Sequence, residues 1–553
     1  MLVLDIETNL IPATKIWVAV TEDVNTGDVV EHYDASSLQS AIDATDGVIA
    51  HNGIGFDFPV VKEIWGVDVP WDKQIDTLVM ARLYQPQINN GHSLKAWGIR
   101  LGNKLLEKQE FNKANFEHGL TPEMLEYCKQ DVKVNVALYR KLNKLLNDAG
   151  FSAHSIKLEH EVAIVTAEQE RNGFKLDIEH ATNCWQEITK RMQEIELQMQ
   201  ELFPPITTER VSEKTGKPLK SHVEQFNPGS RQQVAKRLES LGAVFTELTE
   251  TGHAVINEKT LEKQTIPEAA VLSEYFLLQK RAGLFDSWLK NVKEDGRVHG
   301  RVNTIGAITG RMTHSNPNLA QVPSIRVAWG KESRESFTVE ENNVLVGCDA
   351  SGLELRMLAH YINDKEYTKQ ILEGDIHTYN QQMAGLETRD QAKTFIYALL
   401  YGAGDRKIGS ITGGGSGRGK QLKDNFAKGL PGYSKLQKKA KASASSGKIQ
   451  GLDGRYIRIR SERAALNSLL QGAGAIVMKQ AVVETYKSLT KSKIPFKLVA
   501  QIHDEFQIET PAHFGKAVGI HARKGIIKAG EILKLKCPLD GEYSIGNNWA
   551  ETH

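Results

Sequence analysis

Two apolar, strand-like runs lie far apart in the chain, and each of them leads to an acidic residue. In Val344–Tyr361 the run VLVGC precedes Asp349, and a helical pattern follows. In Leu498–Glu509 two apolar runs flank a short polar turn, which predicts a β-hairpin with Asp504 at its tip. If both strands belong to one sheet, the two carboxylates can hold a pair of Mg²⁺ ions roughly 4 Å apart, the arrangement that serves in-line phosphoryl transfer.

A helical pattern occupies Arg389–Gly404. Its apolar face is formed by Phe395, Ile396, Leu399 and Leu400, and its other face carries Arg389, Lys393, Tyr397 and Tyr401 at intervals of four residues. Two cations followed by two aromatic rings fit a nucleoside triphosphate, because cations bind phosphates and rings pack on the sugar and base. The alternative is a packing helix with core tyrosines and solvated cations.

Acidic residues also recur in three motifs within the first 130 residues or so. The residues of these motifs are Asp5, Glu7, Asp57, Tyr127 and Asp131. Strand alternation places the first two on one face, and helical spacing places the last two on one face. Such carboxylates can share metal ions, and a phenol can orient an attacking water. For Asp76, in the same region, an N-cap role before an apolar helix is at least as good an interpretation.

Length and composition narrow the class of protein. A chain of 553 residues with 40% hydrophobic and 25% charged residues predicts a globular protein of two or more domains. We find no apolar run of 18 residues, and the carboxylate at position 5 argues against a signal peptide, so we expect a cytoplasmic protein without a membrane partner. The four cysteines lack CxxC spacing, which predicts reduced core thiols.

The net charge of +1 conceals a basic tract at 405–463, which holds 15 Lys and Arg against 4 Asp and Glu. Such a tract, with Gly and Ser interleaved, predicts a partly flexible surface that contacts a phosphate backbone; a solvated helical surface is the alternative. Within it GGSGRGK partly matches a phosphate-binding loop. Gln421 replaces the required Ser or Thr and no apolar strand precedes, so we predict a flexible basic turn.

The connecting segments show further patterns. Residues 132–202 read as helices with a stop at Asn172-Gly173, and residues 203–226 read as a polar loop or short hairpin. Two amphipathic helices, Arg231–Leu241 and Ala269–Val292, either grip a duplex with their basic residues or pack as ordinary helices. In the turn-rich stretch 306–323, Arg311 is placed to reach minor-groove acceptors.

In this order, DASGLELR, RxxxKxxxYxxxYG, HDE and TGR with PNLAQVP resemble the motifs of family A DNA polymerases, the DNA polymerase I superfamily, and within it the T-seven-type phage replicative enzymes. The resemblance implies a multidomain α/β fold: a ribonuclease H-like 3′–5′ exonuclease domain at 1–150 and a right-hand polymerase domain at 151–553. Within the latter it implies a thumb at about 180–295, a palm at 296–375 and 466–553, and fingers at 376–465.

The resemblance also implies roles. Asp349 and Asp504, with the Ala350 carbonyl, correspond to the polymerase metal ligands. The triphosphate would be held by Arg389, Lys393 and His377, and Lys393 would also give a proton to pyrophosphate. Tyr397 would pack on the deoxyribose, Tyr401 behind the templating pair, and Glu354 would exclude a ribose 2′-OH. The DNA-contacting residues would be Arg311, Gln471 and His503.

In the exonuclease domain the resemblance makes Asp5, Glu7, Asp57 and Asp131 metal ligands and Tyr127 the phenol that positions water. The implied cofactor is Mg²⁺, two ions per site, with Mn²⁺ as a substitute. The implied function is template-directed DNA synthesis with proofreading in phage genome replication, with primer–template DNA and dNTPs as substrates and a phage helicase–primase and single-strand binding protein as partners. The T-seven-type relatives carry a long thumb insertion that binds thioredoxin; here residues 203–226 are short, so we expect no thioredoxin dependence.

Three alternatives stay open. A 3′–5′ exonuclease with a non-synthesising, DNA-binding C-terminal half would have lost a polymerase carboxylate or a triphosphate cation, and all four are present. A single-subunit RNA polymerase shares the palm and the fingers helix, but Glu354 and the intact exonuclease motifs argue against it. A non-catalytic binding protein would need no paired acids at either site.

Overall fold

A computed structural model describes residues 1–102, 119–211, 214 and 216–553. The first 150 residues build a five-stranded sheet in the order β3-β2-β1-β4-β5, in which β1 pairs antiparallel with β2 and parallel with β4. The elements of this part are β1 Leu2–Thr8, β2 Ile16–Asp23, β3 Val29–His32, α1 Ala35–Asp43, β4 Val48–Ala50, α2 Asp57–Trp65, β5 Gln74–Asp76, α3 Thr77–Tyr84, α4 Leu94–Arg100 and α5 Pro122–Ala149.

A long helix connects this sheet to the rest of the molecule. It is α6, Ala153–Asn172, which packs against α3 on one side and later helices and strands on the other. The segment after it forms a second apolar core around Phe285 and Trp288. Its elements are β6 Phe174–Leu176, α7 Ile178–Leu202, β7 Ile206–Val211, β8 Pro218–Glu224, α8 Arg231–Ser240, α9 Glu258–Leu261, α10 Pro267–Asn291, β9 Arg297–Val298, β10 Arg301–Asn303, β11 Thr313–Ser315, α11 Gly330–Glu335 and β12 Phe337–Thr338.

The central feature is an antiparallel four-stranded sheet in the order β16-β17-β13-β18. Helix α20 packs on one face of this sheet and against α19, and the other face joins the second apolar core through Leu345, Val499 and Ile502, so the central strands are buried on both sides. The remaining elements are β13 Asn343–Ala350, α12 Leu353–Ile362, α13 Lys365–Leu372, α14 Ile376–Ala384, α15 Arg389–Leu400, α16 Asp405–Ser410, α17 Ser416–Gly429, α18 Pro431–Ala444, β14 Lys448–Gln450, β15 Tyr456–Arg458, α19 Ala465–Lys491, β16 Lys497–Ile502, β17 Glu505–Pro511, α20 Gly515–Ile532 and β18 Gly541–Gly546.

Several local predictions are confirmed. The acidic turn at Asp504 is the tip of the β16–β17 hairpin, and residues 203–226 contain the short hairpin β7–β8. Helix α6 ends at Asn172 before Gly173, whose φ of 61° favours glycine. All four cysteines are buried and unpaired with one another. Across the described helices, we find none with the length and apolarity needed to cross a membrane.

The prediction of a flexible basic turn at Gly414–Lys420 is wrong, because α17 begins at Ser416. The rest of the basic tract is also mostly ordered, with α16, α18 and the hairpin β14–β15. Packing requires one of the glycines of this tract, Gly419. A Cβ there would lie 1.8 Å from the Asp405 carbonyl oxygen, so α16 and α17 pack together only with glycine at this position.

Arg281 on α10 decides between the two interpretations of the helix predicted at Ala269–Val292, a duplex grip by basic residues or ordinary packing. Its side chain is buried, and its Nε donates to the Ala328 carbonyl at 3.2 Å. An arginine used in this way stabilises the packing of α10 and cannot reach a phosphate backbone. The packing interpretation therefore holds for this residue.

Candidate active sites

The two carboxylates of the first candidate site meet because their strands are neighbours. Asp349 on β13 lies directly opposite Glu505 on β17, one residue past Asp504. The backbone closes the same corner, since the Ala350 N–H donates to the Asp504 carbonyl at 3.0 Å. The sheet thus places Asp349, Asp504 and Glu505 at one edge of a cleft.

The electrostatics of this edge favour a cation. Burial, with the carboxylates of Glu505 and Asp504 nearby, raises the pKa of Asp349 to about 7. Burial and then Glu354 also raise the pKa of Asp504. Carboxylates crowded together in this way resist ionisation until a positive charge joins them, and a divalent ion with oxygen ligands supplies such a charge.

Sequence reasoning missed two residues of this edge, Glu505 and His553. The ligand atoms of Asp349, Glu505 and His553 all lie within 4.8 Å of one another, so these three residues could hold a metal ion. Burial alone would raise the pKa of Glu505. The hydrogen bond and charge of His553, the charge of Arg334 and a hydrogen bond from Trp549 Nε1 at 2.6 Å together hold this pKa below its usual value. Strand register could have indicated Glu505, but no local pattern points to His553.

The cleft beside these carboxylates has a volume of about 280 Å³. The predicted residues that line it are Arg311, Glu354, Tyr401, His503 and Asp504. The Tyr401 hydroxyl donates to Glu354 at 3.0 Å, and Arg311 lies 4.0 Å from the same carboxylate. His503 adopts a φ of 56° at the hairpin tip, which aims it away from the strand. Gln471 lies on α19, half-buried and next to the lining residue Leu470.

The predicted triphosphate-binding residues form a second group on α14 and α15. Arg389 is half-exposed and pairs with Asp375 at 2.6 Å, while Lys393 is exposed. The His377 ring lies 6.3 Å from the Tyr397 ring, and burial followed by the two cations lowers the pKa of His377. The buried face of α15 is the predicted apolar face, and the cations lie outside it, while Tyr397 is half-buried against the core. Tyr401 caps this helix and joins the group to the cleft.

The N-terminal acidic motifs also converge. A second cleft, about 480 Å³ in volume, is lined by Asp5, Glu7, Asn52, Asp57, Tyr127 and Asp131. These side chains come from β1, the loop after β4, the start of α2, and α5. Burial raises the pKa of Asp57 to about 7, and the charges of Asp76 and Asp131 add to this rise although backbone hydrogen bonds oppose it. This cluster again favours divalent cations.

Two further residues near this cleft have structural contacts. The Asp76 carboxylate caps α3 through the Leu78 N–H at 2.8 Å and accepts the backbone N–H groups of Asn52 and Ile54. The N-cap interpretation of Asp76 is therefore confirmed. Cys128 is buried beneath β1, where its thiol lies 3.4 Å from an Asp5 carboxylate oxygen.

Acidic clefts of this kind suit metal-assisted phosphoryl transfer, and the comparisons with known proteins identify the class as DNA polymerases. The family model described as DNA polymerase family A matches residues 197–551, so the chain belongs to this family. Its relatives include the DNA-directed DNA polymerases of Enterobacteria phage T3 and Escherichia phage T7, each 33% identical over all of both chains. DNA polymerase I of Aquifex aeolicus is 25% identical over all of this chain and 96% of that protein.

A solved structure shows the same fold. The POL domain of Pol1 from M. smegmatis, in complex with DNA primer–template and dNTP, superposes with a TM-score of 0.81 at 19% identity, covering all of this chain and 95% of that one. With the phage relatives, the family assignment makes the protein a template-directed DNA polymerase, a transferase of DNA replication. The alignment with the T7 enzyme spans 708 positions, 155 more than the 553 residues of this chain, so this polymerase is much shorter.

Proposed function

We propose that the protein adds dNTPs to a primer 3′-OH at the Asp349–Asp504 cleft by two-metal phosphoryl transfer and that its N-terminal cleft removes misincorporated nucleotides in the 3′–5′ direction. The observation that carries this proposal is the convergence of two separate carboxylate clusters, each with a group that has a pKa near 7. Two metal-binding clefts on one chain fit one synthetic and one degradative reaction on the same DNA.

The polymerase cleft suits a pair of Mg²⁺ ions, because Asp349 and Asp504 offer hard oxygen ligands in a site with excess negative charge. Such ions, when bound, activate the primer hydroxyl and neutralise charge on the leaving pyrophosphate. We assign the Ala350 carbonyl as a further ligand, because the Ala350 N–H bonds to the Asp504 carbonyl and so keeps this residue beside the site, and Mn²⁺ is expected to substitute. His553 balances part of the charge through Glu505.

The triphosphate is held from the other side by Arg389, Lys393 and His377. Arg389 exchanges its Asp375 partner for a phosphate, and Lys393 gives a proton to pyrophosphate as it leaves. Tyr397 packs on the deoxyribose. Tyr401 lies behind the templating pair and holds Glu354, which excludes a 2′-OH.

The proposed DNA contacts do not depend on the base sequence. Arg311 and Gln471 reach minor-groove acceptors common to all base pairs, and His503 contacts the primer end. Arg311 and His503 line the same cleft as Asp504, which supports two of these assignments, and Gln471 adjoins the lining residue Leu470.

In the N-terminal cleft, Asp5, Glu7, Asp57 and Asp131 bind the metal ions, and Tyr127 positions the attacking water. We assign residues 1–150 to a ribonuclease H-like exonuclease domain and residues 151–553 to the polymerase domain. Within the latter, the thumb comprises about 180–295, the palm 296–375 and 466–553, and the fingers 376–465. The mixed five-stranded sheet with helices α2, α3 and α5 around its acidic edge supports the first assignment.

The proposed setting is phage genome replication in the host cytoplasm, with a helicase–primase and a single-strand binding protein as partners. The short hairpin β7–β8 supports independence from thioredoxin. Addition of thioredoxin is therefore expected to leave processivity unchanged.

Primer extension on a recessed template tests the whole proposal. With Mg²⁺ and all four dNTPs the labelled primer is expected to lengthen, and without dNTPs it is expected to shorten. Lengthening alone would remove the exonuclease assignment. Shortening under both conditions would favour the alternative of an exonuclease with a DNA-binding C-terminal half.

A further inference from the structure

The exposed face of the hairpin β14–β15 carries basic residues that the proposed reaction leaves unused. Arg458 and Arg460 are both exposed; Arg458 is the last residue of β15, and Arg460 lies two residues further on. Lys448 on β14 lies directly opposite Arg458 in the hairpin register. Like charges directly opposite one another destabilise a strand pair, so Lys448 and Arg458 lower the stability of the hairpin.

None of these three cations forms an ion pair with a carboxylate in the described part of the chain. Arg455, three residues before Arg458, differs from these cations. Arg455 is buried and pairs with Asp453 and Glu159. The hairpin therefore fully pairs its buried cation and leaves its surface cations to another partner.

The N-terminal part of the chain forms the opposite wall. Arg458 Nη2 donates to Gln85 Oε1 at 3.2 Å, and Arg460 Nη2 donates to Gln87 Oε1 at 3.2 Å. Neutral amides orient the two guanidiniums without neutralising them. We call Lys448, Arg458, Arg460, Gln85 and Gln87 the interdomain seam.

The seam is a fixed structure. The Ser152 hydroxyl donates to the Asp453 carbonyl, and the rings of Phe151 and Tyr456 meet edge to face at 5.7 Å. The Lys448 ammonium lies 4.2 Å above the Tyr456 ring. A rigid row of cations loses little entropy when it binds a partner.

The seam also continues the polymerase cleft. Arg463, three residues after Arg460, lines a neighbouring cavity together with Gly402 and Lys441. Gly402 follows Tyr401, which lines the polymerase cleft itself. A strand that passes Tyr401 in the direction of Arg463 therefore arrives at the seam.

We propose that the interdomain seam binds the phosphates of the unpaired template strand ahead of the polymerase cleft, so that the N-terminal domain forms part of the template path. This inference rests on the proposed position of Tyr401 behind the templating pair. Charge complementarity selects a phosphate backbone, and the position ahead of the templating pair selects a single strand.

The test compares Arg458→Gln with Arg460→Gln as a double variant against a Lys516→Gln, Lys524→Gln control, which removes the same charge from exposed positions on α20. Fluorescence anisotropy measures affinity for a labelled primer–template with either a short template overhang that ends inside the cleft or a long one. For the long overhang the double variant is expected to bind about 10-fold more weakly, and its salt slope is expected to fall by about 1.4, at about 0.7 per lost phosphate contact on a single strand. The short-overhang affinity and the control are expected to stay unchanged.

Equal affinity losses on both overhangs, or no loss on either, would overturn the proposal. Unchanged DNA binding with lost binding of a poly-glutamate peptide would overturn it in favour of an acidic protein partner. Extension of the short-overhang substrate distinguishes failure of the seam assignment from failure of the proposed polymerase site. If the wild type extends this substrate but the seam variant binds long and short overhangs as the wild type does, the seam assignment alone fails. If the wild type extends neither substrate, the proposed polymerase site fails instead.

Discussion

His553 Nδ1 lies 2.5 Å from Glu505 Oε2 and 4.0 Å from an Asp349 carboxylate oxygen. The hydrogen bond to Glu505 raises the pKa of the imidazole, which favours its protonated form between the two carboxylates. A residue 204 positions after Asp349 in sequence thus contributes to the electrostatics of the polymerase site.

Replacing His553 by Ala is expected to slow nucleotide incorporation about 10-fold, because a hydrogen bond between charged groups contributes about 1.5–3 kcal/mol. Glu505 would keep Trp549, Gln507 and Arg334 as partners. Single-turnover incorporation measures the effect, and His513→Ala, which alters an exposed histidine, is the control. An unchanged rate would mean that the imidazole has no electrostatic role.

The two metal clefts are expected to fail independently. Asp504→Ala should abolish primer extension while primer shortening persists, because it removes a proposed metal ligand of one cleft only. Asp5→Ala with Glu7→Ala should do the reverse. Loss of both activities in either variant would contradict two separate sites.

Glu354→Ala is expected to raise the use of ribonucleotides at least about 10-fold relative to dNTPs, since losing one steric or polar discrimination changes selectivity by about 1–3 kcal/mol. Tyr401→Phe removes only the hydroxyl that holds Glu354 and should leave most of the discrimination in place. The ratio of kcat/KM for a ribonucleotide and its deoxy counterpart measures both. Equal ratios in wild type and Glu354→Ala would assign the discrimination elsewhere.

Two neighbouring glycines of α17 are expected to behave differently. Gly419→Ala forces α16 and α17 apart and should cost about 1–3 kcal/mol, in line with overpacking of a filled contact. Gly417→Ala meets no atom within 4 Å and should be neutral or stabilising by up to about 1 kcal/mol. Thermal unfolding midpoints compare the two. Equal destabilisation would remove the packing explanation.

Glu509 joins the four-stranded sheet to the preceding segment. Its buried carboxylate accepts from Arg297, from Asn343 Nδ2 at 2.8 Å and from the Glu340 N–H at 3.0 Å. These partners hold the pKa of Glu509 below its usual value, although burial alone would raise it. The stabilisation is therefore present above about pH 4.5 and is lost as the pH falls through the lower pKa of the folded state.

Glu509→Gln is accordingly expected to cost about 1.5–3 kcal/mol at neutral pH, because buried Arg297 would lose one of its two carboxylate partners and keep Glu340. The difference in unfolding midpoint between wild type and variant should shrink as the pH falls below about 4.5. A difference that is constant down to acid pH would show that the charge of Glu509 does not contribute.

Local sequence determined much of this protein. Alternating apolar residues specified β13 and the β16–β17 hairpin, and a period of four specified which face of α15 carries Arg389 and Lys393, because side-chain direction follows directly from backbone geometry. The motifs at Asp349 and Asp504 also sufficed to identify the family. The amphipathic pattern failed only where packing overrides it, as at Gly419 and Arg281.

Tertiary structure alone decided the rest. The register of β13 against β17 sets Asp349 opposite Glu505, and the fold brings His553 to them; neither relationship has a local signal, because strand pairing and chain return depend on packing across the whole sheet. In the same way Arg455 and Arg458 are both arginines of one hairpin, yet one is buried in an ion-pair cluster and the other faces Gln85. Sequence supplied the chemical groups, and long-range packing decided which of them meet.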